Sequence, residues 1–174
     1  MISSSSHNSQ MKGGKSSKSP KSIKGSKLKA SLGSYPQYTG SLNVMGDINV
    51  SFDKAGCLTF KFDIAGVEPN CVDCGVHIHT GTTCDTADEV GGHYWDDTTV
   101  PDPWVTEFGS VYSSNDNGVA EGEFTVDSGF NSEENDRHAV VVHAQDGSRV
   151  GCGVLKSKSS KSGKSKSGKR RARH

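Results

Sequence analysis

Two histidines two residues apart, in Gly75-Val76-His77-Ile78-His79, are the residues of this chain best equipped for chemistry. Flanked by Val and Ile, they read as a β-strand whose period of two puts both imidazoles on one face. Imidazole is the commonest protein ligand for metals such as copper and zinc, so a strand carrying such a pair needs one or two further ligands to close a site. His93, in Gly91-Gly92-His93-Tyr94-Trp95, and His143, at the end of the apolar run His138-Ala139-Val140-Val141-Val142-His143, are the candidates.

The elements that must position these side chains are short and β-like. Tyr38–Val44, Asp47–Asp53, Leu58–Ile64, Gly75–Thr80, Ser110–Ser113, Glu121–Val126, His138–Ala144 and Arg149–Leu155 alternate or run apolar. Turn chemistry separates them at Asp53-Lys54-Ala55-Gly56, Asn115-Asp116-Asn117-Gly118 and Gln145-Asp146-Gly147-Ser148. No stretch between them has the period of an amphipathic helix. The pattern predicts an all-β protein, an eight-stranded antiparallel sandwich or small barrel spanning 35–155.

The formal net charge of zero conceals a segregation. Residues 1–34 carry seven lysines and residues 156–174 nine lysines or arginines, neither segment with an acid, while 35–155 hold four basic residues and all 20 acids, a net charge of −16. From Lys12 to Lys27 a lysine stands at every third position among Ser and Gly. Such runs have no apolar face to offset their ordering entropy, so 1–34 and 156–174 are expected to be disordered basic tails. All five cysteines (Cys57, Cys71, Cys74, Cys84, Cys152) lie in the acidic part, which predicts at least one disulfide and, five being odd, one free thiol. A disulfide points to the extracellular space or the secretory pathway. The visible N-terminus shows no apolar leader and the chain no transmembrane segment, which leaves the cytoplasm as the alternative.

In order along the chain, Gly75-Val-His77-Ile-His79, Gly92-His93, Val-Val-Val-His143 and Gly147-Ser-Arg149-Val-Gly-Cys152-Gly-Val resemble the metal-site motifs of the copper/zinc superoxide dismutases. Asn117-Gly-Val-Ala-Glu-Gly-Glu-Phe is similar to a turn and strand of that family. The resemblance covers residues 38–155 and implies a Greek-key β-sandwich. It implies His77, His79, His93 and His143 as copper ligands, a Cys84–Cys152 disulfide, and Arg149 as the guanidinium that draws superoxide to the copper. The pairing of Cys57, Cys71 and Cys74 stays open.

The departures from the family are as specific. Between Tyr94 and Thr106 there is no histidine or cysteine, Trp104 stands where a zinc ligand would be, and Glu107-Phe108-Gly109-Ser110 replaces the aspartate motif. A closed zinc site needs four ligands, so no zinc is expected. The long charged loop after the last copper histidine is reduced to Ala144–Ser148. Both losses resemble the copper-only superoxide dismutases. Without zinc, Glu107 is expected to accept a hydrogen bond from the non-ligating nitrogen of His93. The length of the short turn also decides a register. A three-residue loop at Gln145–Gly147 sets His143 opposite Arg149, whereas a two-residue turn would pair Ala144 with Arg149 and point the guanidinium away.

The resemblance thus implies an enzyme that disproportionates superoxide at one copper, with His93 as proton carrier and Arg149 orienting the anion. The alternative is a non-enzymatic copper-binding or structural module whose basic tails bind polyanions, silica or cell-wall material. The Lys-x-x-Lys spacing of those tails resembles silaffin-type peptides. Oligomeric state is not legible.

Overall fold

The structure, a computed structural model, describes residues 26–157. The tails 1–25 and 158–174, with the disorder and the polyanion or silica binding expected of them, lie outside the described residues. Among the described residues nine strands form one antiparallel array: β1 (Lys27–Ser34), β2 (Met45–Phe52), β3 (Leu58–Ala65), β4 (Cys74–His79), β5 (Val111–Tyr112), β6 (Val119–Val126), β7 (Ala139–His143), β8 (Arg149–Val154) and a two-residue β9 (Lys156–Ser157). Their order is β5-β4-β7-β8-β1-β2-β3-β6, a nearly closed eight-stranded barrel, with β9 added beside β1. Strand β1 joins the two halves, pairing with β2 through Lys27–Leu32 and with β8 through Gly33 and Ser34.

The alternation expected of half-buried strands decides which face points inward. On β3, Leu58, Phe60, Phe62 and Ile64 are buried while Lys61 and Asp63 face solvent. With Ile48, Val50, Val76, Ile78, Val140, Val142, Val150 and Leu155 they fill the interior. Each such side chain, fully buried, contributes about 1.5–3 kcal/mol. Strands β4 and β7 are buried along their whole length, because the long connection from β4 to β5 folds over the face opposite the core. That covered face carries the histidines.

Two expectations need correcting. The first strand is not Tyr38–Val44 but Lys27–Ser34, inside the segment read as tail. Leu28, Ala30 and Leu32 alternate inward with the lysines outward, and Lys29 is paired with Asp47 at 2.8 Å. The apolar half of a period-two pattern was hidden by the three-residue lysine repeat that runs into it. Tyr38–Val44 is irregular, since Pro36 lacks an N–H and Gln37 has a φ of +63°, which turn the chain out of the sheet. The barrel therefore takes in β1 at one end and β9, two residues past Leu155, at the other.

The only α-helices among the described residues are single turns, α1 (Ala87–Val90) and α2 (Ser132–Asn135). The expected turns are present: Asp53 Oδ1 accepts from the backbone N–H groups of Ala55, Gly56 and Cys57, and Asn115 Oδ1 from those of Asn117 and Val119.

Candidate metal centre

Alternation along β4 sends Val76 and Ile78 into the core and His77 and His79 to the other face, where β7 delivers His143. Their exposures are 7%, 0% and 9%, and one ligand atom from each lies within 4.8 Å of the others. His93 is held beside them by backbone pairing. It forms a bridge with His79, flanked by Thr80 N–H to Gly92 C=O at 2.8 Å and Tyr94 N–H to Ile78 C=O at 2.9 Å. Its ring stands 4.7 Å from that of His77 and 5.4 Å from that of His79, centroid to centroid, although it lies outside the tight three-residue set.

One nitrogen of each of three rings is tied down from behind. His79 Nδ1 donates to Gly91 C=O (3.0 Å), His143 Nδ1 to Gly147 C=O (2.9 Å), and His93 Nδ1 to Asp102 Oδ2 (2.8 Å). In the neutral ring that fixes the tautomer with Nε2 as the acceptor nitrogen. Nε2 of His79 and of His143, and both nitrogens of His77, are buried without any hydrogen-bond partner among the described residues. A buried unpaired polar atom costs about 1–3 kcal/mol, so several pointing into one small space ask for a ligand. Neutral imidazoles gathered around one point are a donor set for a transition metal, and copper fits them.

Burial, and then the neighbouring imidazoles and Arg149, push His77 down to about 2. Burial likewise pushes His79 down to about 3, against the bond to Gly91, and lowers His143. Unfolded, these groups bind protons near 6.5; folded, each takes its proton only at lower pH. Between those limits the unfolded chain holds more protons, so stability rises with pH. Metal-free protein is expected to melt highest above about pH 6.5 and progressively lower as the pH falls toward 3. Calorimetry showing a flat melting temperature between pH 7 and 4 would refute this.

Glu107 does not meet His93. It is exposed in a short 3-10 turn and accepts from Thr106 Oγ1. The carboxylate on His93 is that of Asp102, which also accepts at Oδ1 from the Trp104 N–H (2.9 Å). Trp104 is the reason. Its buried indole packs edge-on against Phe60 at 5.7 Å and donates Nε1–H to Tyr94 C=O. This anchors the loop so that Asp102, not Glu107, lies over His93. The available signal was Pro101-Asp102-Pro103-Trp104, an acid between two residues that fix φ, next to a large apolar anchor. The same indole lies 6.3 Å from His77 and closes that side of the cluster.

Gly75 permits the close packing on β4, because a Cβ there would come within 2.5 Å of the His77 ring edge. Arg149 pairs opposite His143, beside a bulge, across the three-residue loop in which Gly147 has a φ of +82°. Its positive charge acts on His77, His79 and His143 alike. Cys84 and Cys152 form a disulfide, Cys71 and Cys74 form another, and Cys57 is free.

The sequence matches the family model for copper/zinc superoxide dismutase over residues 44–172. The fold is similar to solved structures of variants of Candida albicans superoxide dismutase 5. One has a TM-score of 0.58 at 14% identity, covering 79% of this chain and 96% of that one. A second has 0.56 at 15%, covering 81% and 97%. At such identity the likeness speaks for the fold. No curated protein matches the chain.

Proposed function

We propose, on the premise that the chain belongs to the copper/zinc superoxide dismutase family, that it is a copper-only superoxide dismutase, converting two superoxide anions and two protons to oxygen and hydrogen peroxide. The observation that carries this reading is the set of buried imidazole nitrogens with no partner, converging from β4 and β7. His77, His79, His93 and His143 would hold the ion. Copper bound there would supply the electron relay, taking one electron from a first superoxide and returning it to a second.

The chain's own residues do the rest. Arg149, at the edge of the cluster, attracts and orients a small anion. His93, partly exposed, is the proton carrier, and Asp102 keeps one proton on Nδ1, so that Nε2 is the nitrogen that would hold either the ion or the exchanging proton. The barrel between the tails is strongly acidic, so attraction of the anion falls to the neighbourhood of Arg149.

Zinc has no place in this reading. With Asp102 on His93 and no histidine or cysteine in 94–106, two donors stand where four are needed. Two disulfides suit the extracellular space or the secretory pathway. Among the described residues no helix is long and apolar enough to cross a membrane.

The test is metal content and superoxide decay for the copper-reconstituted full chain beside His93→Ala. One copper per chain, no zinc, and decay lost with His93 is the expected result. Stoichiometric copper without turnover would make the barrel a copper-binding module instead.

A further inference from the structure

We propose that Tyr35 is a positioning residue for Arg149, acting through a hydroxyl that fixes the guanidinium at the edge of the histidine cluster. The proposal rests on the reading of Arg149 as the anion-orienting group. Arg149 Nη1 donates to Tyr35 Oη at 3.0 Å, and the same hydroxyl donates onward to Ala87 C=O at 3.2 Å. The phenol is thus saturated in one direction. Its proton goes to the carbonyl, so its lone pair is what faces the arginine.

Tyr35 is built to hold still. It follows β1 directly, and its N–H donates to Val150 C=O at 2.9 Å, next to Arg149 in the chain. The residue is 8% exposed and packs with Val90, Ala139, Val141 and Cys152 in a small second core under the Cys84–Cys152 disulfide. Ala87, which accepts the phenolic proton, opens α1, three residues after Cys84. One hydroxyl therefore connects β1, the disulfide loop and the first residue of β8.

An arginine left free would distribute its long side chain over many rotamers, and only some present N–H groups to an anion beside the cluster. Using one of the five guanidinium N–H donors on a buried phenol leaves the rest of the fork aimed from a fixed origin. The loss of long-range attraction in an acidic barrel makes this local order matter more.

The variant is Tyr35→Phe in the full chain, which keeps the buried ring and removes only the oxygen. Three measurements accompany it: melting temperature, modification of Arg149 by phenylglyoxal in metal-free protein, followed by peptide mass spectrometry, and azide affinity of the copper-loaded protein, read from its absorption spectrum. With the fold intact, Arg149 is expected to react several times faster, and azide affinity and kcat/KM to fall about three- to tenfold, in keeping with the loss of one charge-assisted hydrogen bond. Arg149→Gln sets the lower limit for both anion measurements. Unchanged Arg149 reactivity and azide affinity overturn the proposal. The modification arm needs neither copper nor turnover, so wild-type protein that fails to bind azide or dismutate would sink the reading of Arg149 while leaving the role of Tyr35 decided. Should Tyr35→Phe melt early, Ala87→Pro serves as the second variant. It fixes φ at a first helical position and leaves the Ala87 carbonyl and the Tyr35 hydrogen bonds in place, so the measurements are repeated on Tyr35→Phe combined with Ala87→Pro, and Arg149 reactivity and azide affinity equal to those of Ala87→Pro alone overturn the proposal.

Discussion

Replacing His77 by leucine is expected to abolish copper binding and lower superoxide decay by three orders of magnitude or more, while raising the stability of the metal-free protein. The two effects have one cause. His77 is 7% exposed, and neither of its ring nitrogens has a partner, so in the absence of a ligand the folded chain carries two desolvated polar atoms at a cost of about 1–3 kcal/mol each. Leucine is similar in volume, has no polar atom, and lies among Trp104, Gly75 and the other imidazoles. A gain of roughly 2 kcal/mol in urea unfolding of metal-free protein is the expected magnitude. The acid-induced loss of stability should also shrink, since His77 is the group whose proton affinity is lowered most. Copper-loaded wild type should reverse the order, because a ligand that binds only the folded state adds stability. A metal-free His77→Leu protein less stable than wild type would mean that water satisfies those nitrogens, and that the cluster stores no such cost.

How much of this was legible in the sequence follows from the range of each signal. His77 and His79 were readable because a strand's period is local, and the same holds for β2, β3 and β8. The His143–Arg149 register hung on whether the turn held three residues or two, which the sequence left open and the structure decides for three. What failed was masked or nonlocal. Leu28, Ala30 and Leu32 form a sound alternation, yet the lysine repeat on the other face read as continuous with the tail. Asp102 was missed because the Pro101–Trp104 run signals a stiff loop with an apolar residue but not that Trp104 enters the core; once it does, the residue two before it is placed over His93 and Glu107 is left in solvent. Residues 71–74 could not be paired from spacing, since three nearby cysteines admit more than one bridge. Tyr35 lacked any local signature, its partners lying 52 and 114 residues away.

The Cys84–Cys152 bond should carry the second large effect. It joins positions 68 residues apart, and closing a loop of that length restricts the unfolded chain enough to contribute about 4 kcal/mol. The Cys71–Cys74 bond, with a separation of three, closes a loop too short to contribute comparably. Cys84→Ser with Cys152→Ser is therefore expected to lower the urea midpoint far more than Cys71→Ser with Cys74→Ser. The site should feel the difference beyond stability. The loop that Cys84 tethers to β8 also contains Gly91, whose carbonyl fixes the His79 tautomer, and Ala87, the acceptor behind Tyr35, and it leads into His93. Freed from β8, it can move both a proposed copper ligand and the origin of the Arg149 fork. Copper affinity should consequently fall by about ten- to a hundredfold, the range typical for loss of the groups that orient metal ligands, even at urea-free conditions where the barrel is still folded. If the Cys84/Cys152 variant unfolded earlier yet held copper as tightly as wild type, the disulfide would be a restraint on the unfolded chain alone, and the histidine cluster would owe its geometry to strand pairing between β4 and β7.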